Sequence, residues 1–157
     1  MNDKAEKVYA DAFFTLCLEE TPDTLKTALG ELSALDGIFR EQPDFVKLLG
    51  TPTVTMDEKL GMIKDIIADG ISEYTGNLLC VLTERGRMGC FSGIVKNFRA
   101  LYNEHFRIAE ITVTASAPLS ESVRDKIAAK MSEVTGKTVS IKEKDDPSII
   151  GGVVIDL

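Results

Sequence analysis

The chain has 157 residues, 44% hydrophobic and 27% charged, which is globular composition and enough apolar material for one ordinary core or two small ones. Its net charge of −7 is uneven: residues 1–105 carry 11 Lys/Arg against 17 Asp/Glu, and residues 106–157 carry 7 against 8. An acidic front half with no basic cluster argues against nucleic acid and anionic lipid as partners. No stretch approaches the ~20 apolar residues of a membrane span, and the charged start MNDKAEKVYADAFF has no signal-peptide core, so a soluble cytoplasmic protein is expected.

From Asp3 to about His105 the apolar residues recur at helical spacing. The first helix, residues 3–19, sets Val8, Tyr9, Ala12, Phe13 and Leu16 on one broad stripe, which Phe14, Cys17 and Leu18 extend around the cylinder. So wide an apolar girth needs cover on two sides. Thr21-Pro22 starts a second helix with a hydroxyl cap and a first-turn proline; its seam is Leu25, Leu29, Leu32, Leu35 and Phe39. Pro43 opens a short third helix that Gly50 ends, and Thr55 with Glu58 reads as a capping box for a fourth carrying Leu60, Ile63 and Ile67. Ser72 caps a fifth helix that runs through Leu82, and a sixth runs from Met88 to about His105 with Phe91, Ile94, Val95, Phe98, Leu101 and Tyr102 inward. Short links between six helices predict a compact antiparallel bundle.

After Phe106 the period changes to two. Ala109, Ile111, Val113 and Ala115 alternate with polar residues in a half-buried strand. Ser120 leads into a helix with Val123, Ile127, Met131 and Val134 on one face, closed by Gly136. Val139 and Ile141 mark a second strand, Asp145-Asp146-Pro147 a turn, and Gly151 to Ile155 a third strand. The expected fold is therefore mostly α: a six-helix bundle over 1–105, then a small β-α-β-β domain over 106–157. The sequence stops at Asp156-Leu157 within strand character, so this domain is expected to be incomplete at its C-terminal end.

No residue set points to catalysis. Cys17, Cys80 and Cys90 lack metal-ligand spacing and read as small buried hydrophobes. His105, the only histidine, sits where a cation suits a helix C-terminus. Asp57-Glu58 belongs to a helix start and Asp145-Asp146 to a turn. Gly151-Gly152 precedes a strand, whereas a phosphate cradle opens a helix. No cofactor, metal site or catalytic group is expected. What remains is surface: Tyr9, Ala12, Phe13 and Phe14 in the first helix, and Leu78, Leu79, Val81 and Leu82 in the fifth, exceed what one core face needs. Either both helices are surrounded by their own bundle, or they border a groove for a partner helix.

Four segments carry a family likeness. Tyr9-Ala10-Asp11-Ala12-Phe13-Phe14, Glu84-Arg85-Gly86-Arg87-Met88, Ser116-Ala117-Pro118-Leu119-Ser120-Glu121 and Asp146-Pro147-Ser148-Ile149-Ile150-Gly151-Gly152 resemble, in order, the signatures of ATP synthase delta subunits. The mitochondrial relative is the oligomycin-sensitivity-conferring protein; the acidic N-terminus without a presequence looks bacterial. The resemblance implies a non-catalytic connector of an F-type ATP synthase, peripheral on the cytoplasmic face of the cell membrane. It would hold the catalytic head to the stalk against rotor torque during proton-driven synthesis. It also implies a groove in which Tyr9, Ala12 and Phe13 face Asn77, Leu78 and Val81, taking the N-terminal helix of an alpha subunit. The C-terminal domain, with Gly152 near its last strand, would meet the b subunits of the stalk. Three departures stand out: Val8 where the family often has Arg, Ser92 where it often has proline, and no counterpart to the family's further hairpin and basic C-terminal helix. An unrelated helical adaptor is the alternative on periodicity alone.

Overall fold

The computed structural model describes residues 3–149 and 151–156. It is mostly helical, with seven α-helices and one three-stranded sheet among the described residues. Ile150 and Leu157, which belong to the last glycine motif and to the final strand of the sequence reading, lie outside them. Residues up to Tyr102 and residues from Asn103 onward form two compact units.

The first unit is built from α1 (Asp3–Glu20), α2 (Pro22–Glu41), α3 (Pro43–Gly50), α4 (Met56–Ala68), α5 (Glu73–Glu84) and most of α6 (Phe91–His105). Local chemistry sets the starts. Pro22 and Pro43 open α2 and α3, where a missing N–H costs nothing. Thr55 and Glu58 complete a capping box at α4: the Glu58 amide donates to the Thr55 hydroxyl at 3.3 Å and the Thr55 amide donates to Glu58 Oε2 at 3.1 Å. Thr21 departs from expectation. Its hydroxyl pairs with the Thr24 hydroxyl at 2.9 Å and caps no amide. Met88–Cys90 forms a 3-10 turn, so α6 proper begins at Phe91, three residues later than the apolar period suggests.

Leu25, Leu32, Leu35 and Phe39 of α2 are buried against Leu49, Ile63, Leu79, Leu82, Phe91, Ile94 and Phe98 from the other helices. Each such side chain contributes roughly 1.5–3 kcal/mol on leaving water. Phe39 sits between Phe45 (centroids 5.8 Å, stacked) and Phe91 (5.0 Å, edge-on), so the short α3 is tied to α2 by an aromatic pair. The expected stripe on α1 needs correction. Its buried residues are Ala10, Phe13 and Cys17, spaced three and four apart, whereas Val8, Leu16 and Leu18 are exposed. Leu29, expected in the α2 seam, is half-buried.

The second unit contains β1 (Ile108–Ala115), α7 (Glu121–Thr135), β2 (Thr138–Asp145) and β3 (Val153–Asp156), with strand order β2-β1-β3. β1 pairs parallel to β2 across the α7 crossover, Ile111 opposite Ile141, and antiparallel to β3, Val113 opposite Ile155. Alternation puts Ile111, Val113 and Ala115 on one buried face. Of the expected α7 stripe, Ile127 and Met131 are half-buried, but Val123 and Val134 are exposed. β3 starts at Val153, after Gly151 (φ +72°) and Gly152 (φ +78°); two consecutive left-handed residues are a turn, not the start of a strand. Val153 and Ile155 share a face with Ala115 and Val113 yet remain exposed. The apolar face is thus closed over β1 and open over β3.

A candidate partner-binding groove between two helices

Tyr9, Ala12, Phe13 and Leu16 of α1 and Tyr74, Asn77, Leu78 and Val81 of α5 line one cavity of about 290 Å³. Each wall is a set of residues three and four apart, so the hollow is a trough about 10 Å long walled by two turns of each helix. Its floor is buried: Phe13 (4% exposed) and Leu78 (7%) belong to the core. Its rims are not: Leu16 and Val81 are 45% and 42% exposed. The two helices are therefore not surrounded by their own bundle on this side.

Floor and walls are fixed from beneath. The Phe13 ring packs 5.5 Å from that of Phe98 on α6, and Phe14 meets the same ring edge-on at 5.6 Å. The start of α5 is held by a carboxylate from another helix. Glu31 on α2 accepts from the Ser72 amide (2.8 Å), the Ser72 hydroxyl (2.7 Å) and the Thr75 hydroxyl (2.6 Å). A negative group there satisfies orphan donors and suits the helix dipole. Desolvation first, then the charge of Glu20, the last residue of α1, raises the Tyr74 phenol pKa. Asn77 is exposed and makes no hydrogen bond among the described residues, which leaves one free amide in an otherwise apolar and aromatic trough.

Two other hollows, of about 300 and 350 Å³, open beside α2 and α3. Volume does not single out the trough; its two continuous helical walls do. Of the residues singled out from sequence, Tyr9, Ala12, Phe13, Asn77, Leu78 and Val81 come together here. Gly152 lies in the other unit, in the turn before β3. Sequence reasoning missed Tyr74 and did not count Leu16 as a site residue. Both continue the wall spacing, Leu16 four beyond Ala12 and Tyr74 three before Asn77, so the same periodicity held the signal.

Other titratable groups form no competing centre. No three His, Cys, Asp or Glu side chains among the described residues are placed to hold a metal ion. Cys17 and Cys90 are buried and Cys80 half-buried, all as free thiols. Burial, then the carboxylates of Glu31 and Glu20, pushes the Cys17 thiol up to about 11, away from nucleophilic use at neutral pH. His105 ends α6, its ring 4.8 Å from and perpendicular to that of Phe106. No helix of the described residues is long and apolar enough to cross a membrane.

The sequence matches the family described as ATP synthase delta (OSCP) subunit over residues 5–157. The chain belongs to this family. Among its relatives, the chloroplastic ATP synthase subunit delta of Emiliania huxleyi is 32% identical over 150 residues, covering 95% of this chain and 82% of that protein. ATP synthase subunit delta of Nitrobacter winogradskyi is 31% identical, with coverage of 95% and 80%. A chain of the Toxoplasma gondii mitochondrial ATP synthase hexamer shares the fold, with a TM-score of 0.73 at 22% identity over 95% of this chain and 83% of that one. Two departures from the delta-family pattern now have locations. Val8 is exposed on α1, 57% accessible. Ser92, in the first turn of α6, donates its hydroxyl to Asp36 on α2, a bond that proline would forgo.

Proposed function

We propose that this delta-family chain is a non-catalytic connector in the peripheral stalk of an F-type ATP synthase. Residues 1–105 act as a six-helix bundle that caps the catalytic head, and residues 106–157 act as a β-α-β-β domain that meets the b subunits near Gly152. The trough between α1 and α5 takes the N-terminal helix of an alpha subunit, with Tyr9, Ala12 and Phe13 against one side of it and Asn77, Leu78 and Val81 against the other. Held between head and stalk, the chain resists rotor torque so that proton-driven rotation is converted into ATP synthesis. It reaches the cytoplasmic face of the bacterial membrane through its partners.

The observation that carries this reading is the trough itself, a buried aromatic and aliphatic floor with exposed Leu16 and Val81 rims on two helical walls. A helix laid in such a groove buries an apolar stripe on both sides. A torque-bearing joint needs slow dissociation, and a Kd of ~1 nM corresponds to about −12 kcal/mol. An interface of roughly 1,600 Å² reaches that only around well-packed anchors, a role suited to Tyr9, Phe13 and Val81. Calorimetric titration with an alpha-subunit N-terminal peptide tests it: saturable binding that weakens in Tyr9→Ala at unchanged helix content supports the reading, and absence of binding ends it.

A further inference from the structure

The two ends of the trough differ in charge. Tyr74 in the first turn of α5 feels the Glu20 carboxylate at the end of α1, and Glu6 near the start of α1 lies against Gly93 at the start of α6, just beyond the end of α5, so α1 leaves the trough where α5 enters it. At this end Glu19 and Glu20 lie three and four residues beyond Leu16, on the stripe that forms the wall, and Glu73 lies four before Asn77 on the facing wall. All three are exposed, and no described Lys or Arg forms an ion pair with any of them. The last turn of α1 carries no basic residue. Glu73 suits its place at a helix start, but Glu19 and Glu20 sit against the negative pole of α1, where carboxylates destabilise the helix. At the opposite end the corresponding positions are Ala5 and Glu6 on α1 and Glu84 and Arg85 on α5; the Glu6 carboxylate lies against Gly93 of α6, and the charges there sum to −1 against −3 at the acidic end.

On the reading that this trough accepts a partner helix, we propose that the occupant is an amphipathic helix with Lys or Arg beside one end of its apolar face, seated over Glu19, Glu20 and Glu73. The apolar stripe supplies affinity through Phe13, Leu16, Leu78 and Val81; the basic end sets which helices are accepted and how they lie. The arrangement selects against acidic helices of equal hydrophobicity, because their carboxylates meet three others and the α1 C-terminus in a desolvating contact. The acidic end disfavours the free protein slightly and is relieved only on docking.

Two synthetic 18-residue peptides with the same leucine stripe, one carrying Lys and the other Gln at both ends of that stripe, test this on the intact chain. In 50 mM salt the Lys peptide binds about tenfold more tightly, the sum of a few exposed ion pairs, and the gap closes at 0.5 M salt. The Glu19→Gln, Glu20→Gln, Glu73→Gln triple variant binds both peptides alike, while Glu84→Gln keeps the preference; circular dichroism verifies that each variant is folded. Equal binding of the two peptides by the unaltered chain overturns the charge assignment and leaves the groove standing. If neither peptide nor the alpha-subunit peptide binds, the groove reading falls and takes this one with it.

Discussion

Glu31 Oε2 accepts a hydrogen bond from the buried Thr75 hydroxyl at 2.6 Å, joining α2 to α5 across 44 residues of sequence. With the two bonds from Ser72, one carboxylate closes the N-terminus of the helix that forms a wall of the trough. Glu31→Ala leaves those donors without their acceptor in a partly buried site. The expected loss is about 2 kcal/mol, read as a lower urea midpoint, with faster amide exchange concentrated at residues 73–76. An unaltered midpoint would mean that water replaces the carboxylate without loss.

Core and rim separate cleanly in a pair of leucines. Leu25 is 0% exposed and Leu16 is 45% exposed. Leu25→Ala is expected to destabilise the chain by about 2–5 kcal/mol. Leu16→Ala changes stability by less than about 0.5 kcal/mol but weakens binding of the alpha-subunit peptide. If Leu16→Ala lowers the unfolding midpoint as far as Leu25→Ala does, the rim is part of the core and the trough is not a free surface.

Much of this was legible in the residues. Prolines, hydroxyl caps and glycines placed helix boundaries at Pro22, Pro43, Thr55, Ser72 and Gly136, because those signals act within one turn and need no tertiary context. Periodicity brought Tyr9, Phe13, Leu78 and Val81 to notice, yet it assigned Val8 and Leu18 to the covered stripe of α1. A hydrophobic count cannot tell which part of a wide stripe meets a neighbour; that depends on where the other helices lie. The Glu31 bonds to Ser72 and Thr75 were illegible for the same reason, being fixed by packing and not by spacing. The exposed Val123 and Val134 were misread for the same reason: Ile127 and Met131 between them are half-buried, and the spacing of an apolar stripe does not show where its cover ends.

The Cys17 thiol gives stability a pH dependence of defined sign. Burial, then Glu31 and Glu20, raises its pKa from an ordinary 9.0 to about 11. The folded state therefore favours the neutral thiol. Its contribution is intact below about pH 9 and is lost as pH rises toward about 11, to the extent of roughly 2–3 kcal/mol. Urea unfolding in reductant at pH 8 and pH 10.5 is expected to show a larger loss for the unaltered chain than for Cys17→Ala. Equal losses would assign the alkaline instability to other groups.

In the second unit, Asp146 accepts from the Ser148 hydroxyl at 2.6 Å and from the Ser148 amide at 3.0 Å, and these bonds lower its carboxyl pKa. A lowered carboxylate contributes stability above the ordinary carboxylate range and loses it as pH falls through its own pKa. Ser148→Ala removes the hydroxyl bond and keeps the amide one. Carboxyl titration by NMR is expected to move the Asp146 midpoint upward, part of the way to its unperturbed value. A midpoint that stays in place would mean the amide alone holds the turn.

At Gly76, α5 lies directly against the Ile67 side chain of α4. A Cβ there would lie 2.3 Å from Ile67 Cδ1 and 2.4 Å from Cγ1, far inside contact distance. Two effects of opposite sign then compete in Gly76→Ala. Alanine favours the helix by about 0.8–1 kcal/mol over glycine, while forcing Ile67 aside costs about 1–3 kcal/mol. Strain is expected to win, with a net loss near 1 kcal/mol and a displaced α5 wall that also weakens peptide binding. The decisive arm is the background Ile67→Ala, which already pays for its cavity but removes the obstructing atoms. There Gly76→Ala should turn neutral or stabilising, because only the helix preference remains, and the two changes should be non-additive by more than 1 kcal/mol in a double-mutant cycle. The same loss in both backgrounds would show that the α4–α5 approach is limited by backbone rather than by Ile67.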